Sequence, residues 1–89
     1  MPVVLIPPPY RGATSGAARI EVEAGTVRES LERAIELHPP LGELLFTPAG
    51  APQRFVKFFL GEEPVPADAL DKPAGPDEEI NVVAAIGGG

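Results

Sequence analysis

The residue types that carry most enzyme chemistry are thin in this chain. Of its 89 residues none is cysteine, and His38 is the single histidine. Without cysteine there are no disulfides, no thiolate nucleophile and no cysteine-bound metal. One histidine with no second histidine or cysteine makes no metal site. Nor does a nucleophile stand beside it to make it a general base. His38 reads better as a helix-end residue facing the C-terminal dipole. Ser15 and Ser30 have no hydrolase context, and Gly12, Gly16 and Gly25 form no phosphate loop. An enzyme is therefore the least favoured class. What remains is the end of the sequence, Ala85-Ile86-Gly87-Gly88-Gly89, directly behind an apolar run. Glycine-rich termini also occur simply as frayed ends.

Composition narrows the classes further. Seven Lys and Arg against thirteen Asp and Glu give a net charge of −6. The basic residues read as scattered, without the clustered stripe that nucleic acid requires. An acidic surface suits a partner with a basic docking face. A hydrophobic content of 44% supplies a core for one domain, although a chain this short buries only about 60% of its unfolded surface. The apolar start, Met1 to Ile6, is short and runs into Pro7-Pro8-Pro9. It lacks the basic flank and longer apolar run of a signal peptide. No segment approaches the roughly 20 apolar residues that span a bilayer. A small domain without cysteine fits a reducing compartment, and the expected location is the cytoplasm.

The elements follow from periodicity and punctuation. Val3-Val4-Leu5-Ile6 is β-branched and apolar and reads as a buried strand, stopped by the prolines. Tyr10 to Ala18 reads as a loop. Pro7-Pro8-Pro9 stiffens its start, with a polyproline ligand as the alternative. Arg19 to Glu23 alternates polar and apolar residues like a half-buried strand. These two strands could pair as a hairpin. Thr26 with Glu29 is a capping box. Val27, Leu31, Ala34, Ile35 and His38 then recur at helical spacing until Pro39-Pro40 ends the helix. Leu41 to Leu45 reads as one further turn, and Thr47 to Gln53 as a loop. Arg54 to Leu60 is the strongest strand, followed by a turn at Gly61-Glu62 and a short edge strand from Glu63 that carries Pro64. Pro66 to Glu79 reads as mostly loop, with a single turn at Asp68-Ala69-Leu70. Ile80 to Ala84 is the last strand. The order ββ-α-ββ-β calls for one mixed sheet packed on one main helix, an α+β fold of β-grasp (ubiquitin-like) type. The first and last strands belong side by side at the sheet centre. The expected organisation is a β-grasp domain over residues 1–84 and a flexible glycine tail over residues 85–89.

This arrangement resembles the bacterial ubiquitin-like sulfur carriers, a family that includes the small subunit of molybdopterin synthase and the carriers of the thiamine and cysteine pathways. The resemblance covers nearly the whole chain. It rests on the last strand with its tail, Ile80 to Gly89, and on the third strand with its turn, Arg54 to Glu63. The long first loop and the second strand look most like the cysteine-pathway carrier. The family usually ends on two glycines and this chain carries three. Gly88-Gly89 align with the pair; were Gly87-Gly88 the pair, Gly89 would have to be removed before activity.

The resemblance implies the chemistry. An ATP-dependent activating enzyme of E1 type, using ATP and magnesium, adenylates the Gly89 carboxylate. A sulfur donor displaces AMP and leaves a thiocarboxylate, and an acceptor enzyme in biosynthesis takes the sulfur. The carrier binds no cofactor and supplies no catalytic side chain. Ala85, Ile86, Gly87 and Gly88 would thread the partner's active site, where the lack of side chains lets a glycine tail pass a narrow tunnel. Two alternatives stay open. The chain could be a modifier joined to target lysines through the same terminus, or an interaction domain whose tail does nothing.

Two further surfaces invite a reading. Phe55, Lys57 and Phe59 share one strand face and Val56, Phe58 and Leu60 the other. The lysine suggests that the first set looks outward and forms a candidate docking patch for partners. The competing reading covers both faces, for instance with the loop at 66–76. Asp77-Glu78-Glu79 could meet basic residues near an acceptor's tunnel mouth, or be a solvated loop.

Overall fold

The structure is a computed structural model and describes residues 1–84. Five strands form it: β1 (Val3–Leu5), β2 (Arg19–Glu21), β3 (Val56–Leu60), β4 (Glu63–Val65) and β5 (Glu79–Ala84). Two α-helices, α1 (Val27–Leu37) and α2 (Leu41–Leu45), lie between β2 and β3. The strands stand in the order β2-β1-β5-β3-β4. The one parallel pairing is β1 with β5, and the rest are antiparallel. This is the β-grasp arrangement expected, with the first and last strands adjacent and both shielded from the sheet edges.

Alternation along the strands decides what the sheet buries. Val4, Ile20, Val56, Phe58, Leu60, Val65, Ile80 and Val82 all point to the helical side and are buried. Val27, Leu31 and Ala34 of α1 and Leu41 and Leu45 of α2 meet them. Phe46, just past α2, packs its ring against Phe58 with centroids 5.9 Å apart. Pro64 sits opposite Phe59 on an outermost strand, where its missing N–H breaks no second ladder. In the two-residue turn before it only Gly61 has positive φ, at 62°. That is the conformation a type II′ hairpin asks of its first central residue.

The start of α1 is tied down more firmly than a capping box requires. Thr26 Oγ1 accepts from Glu29 N–H at 3.0 Å. The Glu29 carboxylate reaches back to the N–H of Gly25, one residue before the cap. Two of the three remaining orphan donors find carbonyls in a distant segment: Val27 N–H donates to Lys72 at 3.0 Å and Arg28 N–H to Leu70 at 2.8 Å. The stretch after β4 therefore does more than connect. It buries Leu70 and Ala74 in the core, and its short 3₁₀ turn is Ala67–Ala69.

Residues expected as a plain loop after β1 form a 3₁₀ segment, Pro8–Thr14. Proline suits its first positions, since its fixed φ is preorganised and its missing N–H would have been an orphan. This removes the polyproline-ligand reading, because Pro8 and Pro9 are wound into the segment. The segment buries Tyr10 and Thr14, and the Thr14 hydroxyl lies 2.7 Å from the Ala17 carbonyl. β2 and β3 are shorter than expected, ending at Glu21 and beginning at Val56.

Two outcomes follow. Thr26→Ala should cost about 1 kcal/mol of stability, read from the shift of a urea-unfolding midpoint. Burial pushes the Tyr10 phenol above its ordinary value. As the chain's one tyrosine, it should give a phenolate absorbance step at higher pH when folded than in denaturant. The folded phenol holds its proton longer, so its contribution to stability is complete below the unfolded value and is lost as pH rises through the folded one.

Candidate functional site

The site lies where β5 leaves the sheet. Residues 85–89, which include the expected reacting residue Gly89 and the threading residues Ala85, Ile86, Gly87 and Gly88, lie outside the described residues. The frame from which they depart is described. β3 accompanies β5 to its last residue, with Val56 opposite Ala84 and Lys57 opposite Val83. β1 stops two residues short of Val83, its last pair being Leu5 with Asn81. Beyond that pair β1 turns away at Pro7. A shallow cleft of about 360 Å³ opens there between Ile6, Arg11, Arg19 and Val82.

The outer face of the sheet is left uncovered by the helices. Lys57 is exposed and Phe59 half-buried, as their alternation required, while Val83 is 40% exposed. Phe55 is 48% exposed but sits in the turn before β3, not on the ladder. The segment at 66–76 does not cover this face. Its carbonyls at Leu70 and Lys72 are committed to α1 on the other side of the sheet. Phe59, Val83 and Leu5 thus share this face with Lys57, and Phe55 lies two residues before Lys57 in the chain.

Charges are sorted along the sheet in a way that the linear sequence hides. Glu79 opens β5, so the run Asp77-Glu78-Glu79 stands at the opposite end of the strand from the tail. Five residue steps at about 3.3 Å each separate the two by roughly 16 Å. Two of these carboxylates are already engaged. Glu78 accepts from the Gly75 N–H at 2.9 Å, and Glu79 pairs with Arg19 at 3.3 Å. Arg28 meets Asp71 and Arg33 meets Glu36. Lys72 meets Glu63, and its hydrogen bond and charge hold that carboxyl below the ordinary glutamate range. Arg11 donates to the Ile6 carbonyl at 3.1 Å. Among the described residues, Arg54 and Lys57 alone of the seven basic side chains have neither a carboxylate nor a backbone partner. Both are exposed and both flank the exit.

The hydroxyls and the imidazole take structural positions. Ser30 is fully buried in α1 and donates to the Thr26 carbonyl at 2.8 Å. His38 is the C-cap of α1, the helix-end position that its place in the sequence suggested, and its backbone N–H donates to the Ala34 carbonyl. Ser15, exposed, takes the left-handed conformation that closes the 3₁₀ segment, with φ of 56°. No helix among the described residues is long and apolar enough to cross a membrane.

Comparison with known proteins yields likeness through shape. No protein-family model matches the chain, and no curated protein matches it by sequence. Among solved structures, a chain of the Amycolatopsis orientalis BexX/CysO complex superposes with a TM-score of 0.88 at 22% identity, each chain covered in full. CysO of Mycobacterium tuberculosis, described as an antigen, gives 0.85 at 20% identity over 97% of this chain and 100% of that one. SAMP1 of Haloferax volcanii gives 0.77 at 21% identity over 99% and 98%. The protein therefore has the β-grasp, ubiquitin-like fold along its length.

The contrast between the buried and the exposed phenylalanine at the start of β3 is directly measurable. Phe58→Ala, which empties a buried site against Phe46, should cost about 3–5 kcal/mol. Phe55→Ala, on the exposed turn, should stay within about 0.5 kcal/mol. Guanidinium unfolding of the two variants separates them.

Proposed function

We propose that the chain is a ubiquitin-like sulfur carrier, a co-substrate of enzymes and not itself an enzyme, working in the cytoplasm through its Gly89 carboxylate. The observation that carries this reading is the position of β5. The strand at the sheet centre ends at Ala84, and Gly87-Gly88-Gly89 follow it in the sequence after two residues. The likeness in shape to CysO supports it, as does the resemblance of the last two long strands to the carrier family.

The reaction balances with components that the partner supplies. The carboxylate oxygen attacks the α-phosphorus of magnesium-bound ATP and pyrophosphate leaves, giving an acyl-adenylate. Sulfide delivered by a donor then attacks the acyl carbon. The carbon–oxygen bond to AMP breaks and a thiocarboxylate remains. A biosynthetic acceptor enzyme takes the sulfur. Adenylation is needed because a carboxylate is a poor electrophile at neutral pH. Fixing the tail costs on the order of 1–2 kcal/mol per glycine, which favours firm grip during reaction and release afterwards. The patch of Phe55, Lys57 and Phe59 is the surface we assign to partner docking.

A second reading has a specific support. One of the similar structures bears the name small archaeal modifier protein 1. In that reading a lysine amine, not sulfide, takes the acyl group from the same adenylate.

Intact mass decides among these. The chain is incubated with ATP, magnesium, sulfide and an activating enzyme from the same cell. A gain equal to one oxygen replaced by sulfur, mapped to Gly89 and absent when Gly89 is deleted, is the expected result. Isopeptide-linked products with no such gain would favour the modifier. No change with any matched activating enzyme would leave an interaction domain with an inert tail. Phe55→Ala with Phe59→Ala should raise KM for the carrier in this assay; unchanged KM removes the docking assignment.

A further inference from the structure

The charges around the tail's exit point to the electrostatic character of the partner. Strand register brings two of the seven basic residues to that end of the sheet and leaves two more on the opposite flank of β5. Lys57 stands opposite Val83, and Arg54 lies two residues before Val56, the partner of Ala84. On the other flank Arg19 stands opposite Leu5, and Arg11 is bonded to Ile6. Arg54 and Lys57 thus flank the last residues of β5, while the Arg19 guanidinium turns toward Glu79 at the strand's start, on a protein whose net charge is −6. The run Asp77-Glu78-Glu79 and the turn residue Glu62 stand at the far end. The molecule is thus acidic as a whole and basic where its tail departs.

Distance makes this sorting matter. Five residues follow Ala84, and fully extended they reach roughly 17 Å at most. A protein that acts on Gly89 must bring the wall around its tunnel close to β5, against the side chains that flank the exit. Arg11 is occupied by a carbonyl and Arg19 by Glu79. Arg54 and Lys57 are exposed and unpaired among the described residues. We infer that the partner receiving the tail carries acidic side chains at the mouth of its tunnel, and that Arg54 and Lys57 pair with them. This inference rests on the proposed use of the tail and adds the sign of the docking surface. It also reverses the expectation of a basic mouth meeting the acidic run. Opposite charges in this arrangement steer encounter and fix orientation. The acidic body, repelled by the same mouth, keeps the wrong end away.

The test uses the full chain and the activating enzyme of the mass assay, with initial rates across carrier concentration. Arg54→Glu with Lys57→Glu should raise KM about tenfold or more and leave kcat within about twofold. The wild-type KM should climb with salt as exposed charges are screened, and the variant should lose that dependence. Arg54→Lys with Lys57→Arg should restore both. Arg33→Glu, on the solvent side of α1, should change neither. Arg54→Gln with Lys57→Gln, which only removes charge, should give an intermediate KM and keeps the test readable should reversal lower the melting temperature. Thiocarboxylation of the wild type with an unchanged KM and salt dependence in the reversal and glutamine variants would overturn the acidic mouth and leave the carrier intact. A wild type that gains no sulfur with any activating enzyme overturns both.

Discussion

The pairing of β1 with β5 is the constraint on which the rest of the structure depends. It joins residues from the two ends of the chain, Val3 to Glu79 and Leu5 to Asn81. Parallel strands cannot be closed by a tight turn, so everything between them must serve as crossover. Here the crossover holds both α-helices and the β3–β4 hairpin. The buried Val4 and Ile80 sit at the junction, in contact with the helical layer. A pairing this distant in sequence incurs loop-closure entropy before its own contacts form. The local devices around it lower that cost. The β1–β2 hairpin, the capped start of α1 and the two-residue turn at Gly61-Glu62 each bring neighbours together first.

The segment after β4 links the two layers. By accepting hydrogen bonds from the first turn of α1 at its Leu70 and Lys72 carbonyls it satisfies two donors of a helix start that would otherwise look to water. The same segment sends Leu70 and Ala74 into the core. Helix start, core and the approach to β5 are therefore one unit. The outer face of the sheet gains nothing from that unit and stays open. That is why Val83 remains exposed while Phe58, which points to the helical side, is buried.

Much of this was legible because the signals are local. Alternation named the buried set on β3, the Thr26–Glu29 spacing named the start of α1, and Pro64 named the edge strand. Where reading by pattern stopped short, the deciding contacts are distant. A stretch containing three consecutive prolines reads as a loop, yet Pro8–Thr14 winds into a 3₁₀ segment because Tyr10 and Thr14 find burial beneath it. Leu70 and Ala74 sit in a proline-rich connection without periodicity, so nothing near them in sequence announces burial. Phe55 has the parity of an outward strand residue but lies before the ladder begins, since pairing with β5 starts at Val56. The basic residues looked scattered for the same reason. Arg54 and Lys57 come to flank the end of β5 only when β3 pairs with it, because 25 residues separate Lys57 from its opposite number Val83 in the chain. The tail is the converse case. Gly87-Gly88-Gly89 is plain in the sequence and lies outside the described residues.

A carrier of the kind proposed cannot select its chemistry with its own side chains. Ser30 is spent on Thr26 and His38 caps α1, so the choice between sulfide and amine falls to whichever protein receives the tail. What the chain can select is the protein. An apolar patch offers area but little orientation, because apolar contact is non-directional. Two cations beside that patch, unpaired among the described residues, supply a direction, and they do so at the end of the sheet where β5 finishes. Surface charges of this sort contribute little to stability, so Arg54 and Lys57 are not explained by the fold. The four ion pairs elsewhere among the described residues bind the chain's own carboxylates to its own cations. Within those residues two cations at the exit stay uncommitted, which fits an encounter in which a partner completes them.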